Sequence, residues 1–406
     1  MTPTFDVAVI GAGPAGAATA AFLAHRGIQV LLLDKAQFPR DKTCGDAISP
    51  RAIHFLHTLG IEHDLQEAAF QIQSVAVTSP RGHQVTIPIS RHPDYPSYAY
   101  VLPRLKLDQL ILARAISAGA EFRPGVQVRD ILLDDHDGLE MRCDGRGTRF
   151  KMRARLAVIA TGAHIPLLRQ LGLLPRRMHF SYAARAYFAG VQDLGEAIHI
   201  HFDGIPLPGY GWLFPLAGGG ANIGVGFYRR SRRTPPTARE AAELFLNHNS
   251  IRRYLRSAQQ TSPIKGFPIR MDFHRSPIVG RRILLVGETA GLVNPFTGEG
   301  IDYALETAHI AVEQIHAAFQ DGIDPHKAIQ NYERAMRARF QHNFKATHLL
   351  RAIYLNPLLL DPLVLACQRW PEVGKMLVDI MLEYRDPFEA LRPDIALRVL
   401  RCISPR

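Results

Sequence analysis

The stretch Phe5-Asp6-Val7-Ala8-Val9-Ile10-Gly11-Ala12-Gly13-Pro14-Ala15-Gly16 decides the fold. Its β-branched start reads as a buried strand, and the alanine-rich run that follows, through about His25, reads as a helix. Between them Gly11, Gly13 and Gly16 form G-x-G-x-x-G. In that pattern the first glycine permits a tight turn, the second lets backbone approach a pyrophosphate, and the third lets helix and strand pack closely. The helix start then offers free N–H groups and a positive dipole end to the phosphates. A second strand, Gln29 to Leu33, ends in Asp34, eighteen residues beyond Gly16. A carboxylate there accepts hydrogen bonds from a ribose. The segment is a βαβ start of the dinucleotide-binding kind, and by itself it does not choose between NAD and FAD.

Outward from this unit the pattern predicts a helix over about Pro50 to Leu59 and strands near Ser74–Ser79 and Gln84–Ile89. Leu107, Leu110, Ile111 and Ala115 have amphipathic spacing, which predicts a helix over Leu105 to Ala118. Strand-like runs recur at Val126–Leu133, Leu139–Cys143 and Leu156–Ala160. From Met178 to Phe267 apolar and polar residues alternate around Gly and Pro turns, the signature of antiparallel sheet, with a helix near Ala238 to His248. A buried strand returns at Ile283 to Val286, a long helix follows Gly298, and the remainder to Arg406 is mostly helical. The expected fold is α/β. A discontinuous Rossmann-like domain (1–70, 101–175 and 276–340) is interrupted by an antiparallel-sheet substrate domain (71–100 and 176–275). A helical region (341–406) follows.

With 47% hydrophobic and 21% charged residues the chain reads as globular. Cys44, Cys143, Cys367 and Cys402 lack paired spacing, so no zinc site or disulfide framework is expected, and the thiols read as reduced and intracellular. Met1 to Asp6 lead into a strand without a basic n-region, and no apolar run is long enough to span a bilayer. The expected location is cytoplasmic, with peripheral contact at the inner membrane face left open. Leu355 to Cys367, interrupted by Pro357, Asp361 and Pro362, reads as a core helix pair or a lipid-touching surface. The formal charge of +11 favours anionic partners, but the arginines form only short clusters at Arg176–Arg177 and Arg229–Arg233, and no nucleic-acid module is recognisable. His199 and His201 share a strand face without a third ligand in view, so no metal site is expected.

Four ordered segments narrow the reading. Phe38-Pro39-Arg40-Asp41-Lys42-Thr43-Cys44-Gly45-Asp46 closely resembles the loop after the second strand in the geranylgeranyl reductase family. That family belongs to the flavoprotein group containing p-hydroxybenzoate hydroxylase and the flavin halogenases. Arg104-Leu105-Lys106-Leu107-Asp108 resembles the family's arginine-and-helix segment, Tyr210-Gly211-Trp212-Leu213-Phe214-Pro215 its Y-x-W-x-F-P motif, and Gly287 to Gly300 its second FAD-binding motif. The resemblance implies FAD as cofactor. It implies contacts from Gly11, Gly13, Ala15, Gly16, Asp34, Lys35, Cys44, Gly45, Arg104, Gly287, Glu288, Gly298, Gly300 and Ile301. Two positions depart from the pattern: Glu288 stands where aspartate is usual. Thr161 stands where hydroxylases carry an aspartate associated with both cofactors, which argues against hydroxylase-type use of NADPH.

The resemblance also places Cys44, Tyr210 and Trp212 around the flavin ring as the catalytic candidates. Cys44 would position substrate, donate a proton or tune the flavin. Tyr210, Trp212 and Phe214 alternate on one strand face and would wall a long, dry cavity. The helix start after Gly298 and Gly300 would stabilise negative charge on the reduced ring. The implied activity is reduction of C=C bonds in an isoprenoid chain, by hydride from flavin N5 plus a proton. The partner is a hydrophobic or lipid substrate, with NADPH, ferredoxin or a membrane carrier as electron donor. The alternative is an FAD-dependent monooxygenase of a hydrophobic metabolite. Halogenation is disfavoured, because position 210 is tyrosine and no lysine occurs between Lys42 and Lys106.

Overall fold

The computed structural model describes residues 4–134, 138–228 and 236–403; the cluster Arg229–Arg233 lies outside the described residues. The strand Thr4–Ile10 runs parallel to Val30–Asp34 on one side and to Thr148–Ile159 on the other. Ile283–Leu285 and Glu121–Pro124 extend the sheet outward, both parallel. Helices Pro14–His25, Arg104–Ser117 and Ile301–Gln320 pack together. Burial explains why Val30–Leu33 is an unbroken apolar run rather than an alternating one: each of its residues is at most 2% exposed.

The second sheet runs in the order Phe180–Ala189, Gly220–Phe227, Gly209–Leu216, Ala197–His201, Ser74–Thr78, Gln84–Pro88. Its pairings are antiparallel with one exception: Ala197–His201 lies parallel to Ser74–Thr78. The early hairpin and the middle region are therefore one sheet, joined by strands that alternation alone could not orient. Room for the aromatic face comes from the neighbouring strand, where Gly224 sits opposite Trp212 and Gly226 opposite Tyr210. A Cβ at Gly224 would stand 2.4 Å from the Trp212 ring. The helix Ala238–Leu246 begins with a Thr237–Glu240 capping box and presses Phe245 onto Gly211.

The tail contains helices Pro325–Tyr354, Pro357–Arg369, Pro371–Met381 and Pro393–Leu400. Pro357 opens its helix, and Pro362 lies inside it without breaking it. The carbonyl that Pro362 leaves unbonded belongs to Leu358, whose residue is 80% exposed and can turn to water. One face of this helix is core: Leu360, Val364 and Cys367 are buried, and buried Asp361 accepts from Ser79 Oγ at 2.6 Å and from the Arg81 N–H at 2.9 Å. No single described helix is long and apolar enough to cross a membrane. A buried ion cluster ties the tail back to the first domain: Arg51 pairs with Asp302, Glu306 and Glu383, and Arg339 with Glu306 and Glu383.

Candidate active site

A cavity of about 570 Å³ runs from the glycine turn to the aromatic face of the second sheet. At Gly11, φ is +106°, and a Cβ would lie 2.3 Å from the Ala160 carbonyl oxygen. A Cβ at Gly16 would lie 1.8 Å from the Gly11 oxygen, so helix and turn touch there. Asp34 accepts from the Ala12 N–H at 2.7 Å and the Ala36 N–H at 2.8 Å. The carboxylate thus orients the turn while lining the cavity beside Lys35.

The opposite end is a second glycine cradle. Gly298 has φ +75°, and its Cβ position lies 2.8 Å from the Tyr210 hydroxyl. Asn294 Oδ1 accepts from the Phe296 N–H at 2.8 Å, shaping the loop that delivers Gly298, Gly300 and Ile301 to the cavity at the start of helix Ile301–Gln320. Glu288 also lines the cavity and accepts from the Arg270 N–H at 3.2 Å. Gly11, Gly13, Ala15, Asp34, Lys35, Cys44, Gly45, Arg104, Tyr210 and Trp212 share the same lining. Gly16 and Gly287 are not in it. Gly287 instead packs behind the wall, where a Cβ would lie 3.1 Å from that of Ala15. Two side-chain-free cradles joined by one cavity fit an extended dinucleotide.

Between the cradles lies a side-chain network. Arg104 holds Asp108 through two bonds of 2.6 and 2.9 Å, and Arg40 reaches the same carboxylate at 3.1 Å. Asp46, fully buried and at φ +69°, accepts from Tyr187 Oη and Asn222 Nδ2, both at 2.7 Å. Asn222 also donates to the Cys44 carbonyl at 2.7 Å and accepts from Trp212 Nε1 at 2.9 Å. Tyr210 donates its hydroxyl to the Thr297 carbonyl, bridging sheet and second cradle. The polar atoms of Trp212 and Tyr210 are thus already engaged within the protein, while both residues line the cavity.

Burial pushes the Cys44 thiol up, while the adjacent Arg104 guanidinium acts to stabilise its thiolate. Burial also raises Asp46 to about 6 against the donors that face it. Glu299 is raised by burial and by its acidic neighbour Asp302. The half-buried Lys42 ammonium is lowered by desolvation and lies 3.8 Å over the Phe267 ring. Asp46, Asn222, Glu299 and Lys42 were not singled out from sequence. Asp46 and Lys42 stand in the quoted Cys44 loop, and Glu299 between two singled-out glycines. Asn222 carries no local signal at all. His201 is a core residue bonded to Asp203 at 2.8 Å, and His199 bonds the Leu194 carbonyl at 2.8 Å.

Comparison with known proteins assigns the family. The FAD binding domain family matches residues 4–347. Menaquinone reductase of Mycobacterium tuberculosis is 36% identical over 328 residues, covering 76% of each chain. Digeranylgeranylglycerophospholipid reductase 1 of Methanopyrus kandleri is 30% identical over 345 residues, covering 84% of this chain and 88% of that one. The crystal structure of a geranylgeranyl bacteriochlorophyll reductase-like protein from Thermoplasma acidophilum superposes with a TM-score of 0.77 at 22% identity, covering 93% of this chain and 99% of that one. The chain belongs to the FAD-binding domain family and, within it, to the geranylgeranyl reductase family, and it is an FAD-dependent oxidoreductase.

Proposed function

We propose that this enzyme saturates C=C bonds of an isoprenoid chain. One observation carries the reading: the cavity that begins at the glycine turn continues into an apolar section lined by Val75, Ile89, Ile198, Ile200, Val378, Met381 and Leu382. A prenyl chain has the shape and polarity for that section, and the relatives named above are reductases of prenyl-bearing molecules. When bound and reduced, FAD supplies the hydride. Gly11, Gly13 and Asp34 would hold its pyrophosphate and ribose, and the Gly298–Ile301 backbone would meet its ring.

The remaining work falls to side chains. An isolated alkene is a poor hydride acceptor, so Trp212, Phe214 and Tyr210 must fix its position and exclude water. Cys44 Sγ gives the proton to the second carbon. Its raised pKa keeps the thiol loaded, and Arg104 stabilises the thiolate left behind. Tyr210, whose hydroxyl is bound to Thr297, shapes the cavity instead.

The test is anaerobic. Holoenzyme reduced chemically is mixed with menaquinone or with a geranylgeranyl-bearing phospholipid, and products are weighed by mass spectrometry. A gain of two hydrogens per saturated bond, located in the prenyl chain by fragmentation after any quinol is reoxidised to the quinone, is expected together with flavin reoxidation. Products that gain oxygen in a parallel reaction run in air, with no hydrogen gained anaerobically, would sink the reductase reading in favour of a monooxygenase.

A further inference from the structure

Three histidine rings meet where three elements converge. His179 precedes the strand Phe180–Ala189, His274 lies in the turn Phe273–Arg275, and His348 is on the helix Pro325–Tyr354. Ring centroids are separated by 5.8 Å (His179 to His348), 5.4 Å (His274 to His348) and 6.3 Å (His179 to His274). Arg351 Nη2 lies 3.3 Å from His348 Nε2. Arg275, Arg177 and Lys345 also act on the rings. No carboxylate pairs with these four cations among the described residues.

The carboxylate whose charge reaches two of the rings, Asp272, is engaged elsewhere. It accepts from Arg270 Nε and Ser276 Oγ, each at 2.8 Å, and from the His179 backbone N–H at 3.2 Å. Nδ1 of both His179 and His274 is buried with no hydrogen-bond partner among the described residues. Burial and the surrounding cations hold all three imidazoles below their usual range, His348 at about 4. A divalent cation would meet a repulsive field here. An oxyanion would accept from the ring N–H and guanidinium groups, offset the crowded positive charge, and draw protons onto the imidazoles.

We propose that this cluster is a binding site for a phosphate-type oxyanion. The phosphate is either free in solution or carried on a lipid or diphosphate headgroup. None of the three histidines lines the cavity, so the site stands apart from what the cavity takes. It is nonetheless one side chain away, because the Arg351 guanidinium covers the ring of Tyr228 at 4.3 Å and Tyr228 lines the cavity.

Calorimetric titration of the FAD-loaded enzyme with inorganic pyrophosphate, in buffers of different ionisation enthalpy, tests the site. We expect saturable binding of one anion per chain with proton uptake, tighter by about tenfold at pH 6 than at pH 8. His348→Leu and the exposed-site variant Arg275→Gln should each weaken it at least about fivefold while FAD content and melting temperature without anion stay unchanged. No saturable binding, or wild-type affinity in both variants, overturns the proposal. Geranyl diphosphate identifies the source. Tighter binding than pyrophosphate, with that margin lost in Arg275→Gln, marks a substrate headgroup, and equal affinity marks a free anion. Neither result depends on turnover, so failure of the reductase reading leaves this one standing.

Discussion

At the glycine turn the protein presents backbone to the cavity, whereas around Cys44 and Trp212 it presents side chains held by other side chains. Gly11, Gly13 and Gly16 stand within six consecutive residues, and one strand–turn–helix sets their geometry. The network around Cys44 joins Asp46 to Asn222, 176 positions away, and to Tyr187, 141 positions away. At Gly11 and Gly16 the first region has no room for an added atom. The second tolerates shape but not a missing hydrogen-bond partner. The difference teaches where each kind of damage should appear: loss of cofactor in one, loss of turnover or stability in the other.

The sharpest way to break that contrast is Gly16→Ala, whose methyl would enter space 1.8 Å from the Gly11 oxygen. FAD affinity should fall by more than about a hundredfold, roughly 2.7 kcal/mol, read as flavin fluorescence on dilution. A variant that still retains FAD would show that the turn is softer than its packing implies. Cys44→Ala should instead keep FAD and lose turnover by about a hundredfold, the usual scale of a proton donor. Unchanged turnover in single-turnover reoxidation would remove Cys44 from the chemistry.

Asn222→Leu leaves Trp212 Nε1 without its acceptor and Asp46 without one of its donors, and should cost about 2–4 kcal/mol in denaturant unfolding. A loss under about 0.5 kcal/mol would mean water replaces the amide. The smallest effect is expected of Glu299→Gln. Because the folded-state pKa of Glu299 is raised above its unfolded value, the folded protein holds an extra proton, and stability falls as pH climbs from the ordinary carboxylate range to that raised value. The amide cannot ionise, so the variant's melting temperature should decline less with pH than the wild type's. Parallel pH profiles would contradict the assignment.

The same contrast explains what the sequence makes legible. Glycine motifs report backbone requirements that neighbouring residues impose, so the phosphate turn, its strands and the second cradle can be read locally. Asn222 sits in Ala-Asn-Ile-Gly-Val-Gly-Phe, where nothing distinguishes it until the strand pairs beside Trp212. Gly287 belongs to a recognisable motif yet lies behind the cavity wall, since a motif does not state which of its residues face inward. The parallel pairing of Ala197–His201 with Ser74–Thr78 was invisible because alternation carries no direction. Pro362 misleads for a related reason: whether a proline breaks a helix depends on whether its orphaned carbonyl can reach water.

Glu383 gives the tail helices a mechanical meaning. Met381 and Leu382 line the apolar end of the cavity, and the next residue, Glu383, bonds Arg51, Arg339 and Tyr303. Arg51 in turn grips Asp302, in the first turn of the helix that opens with Ile301 at the second cradle. A chain of buried ion pairs thus joins the apolar end of the cavity to the helix start at the second cradle.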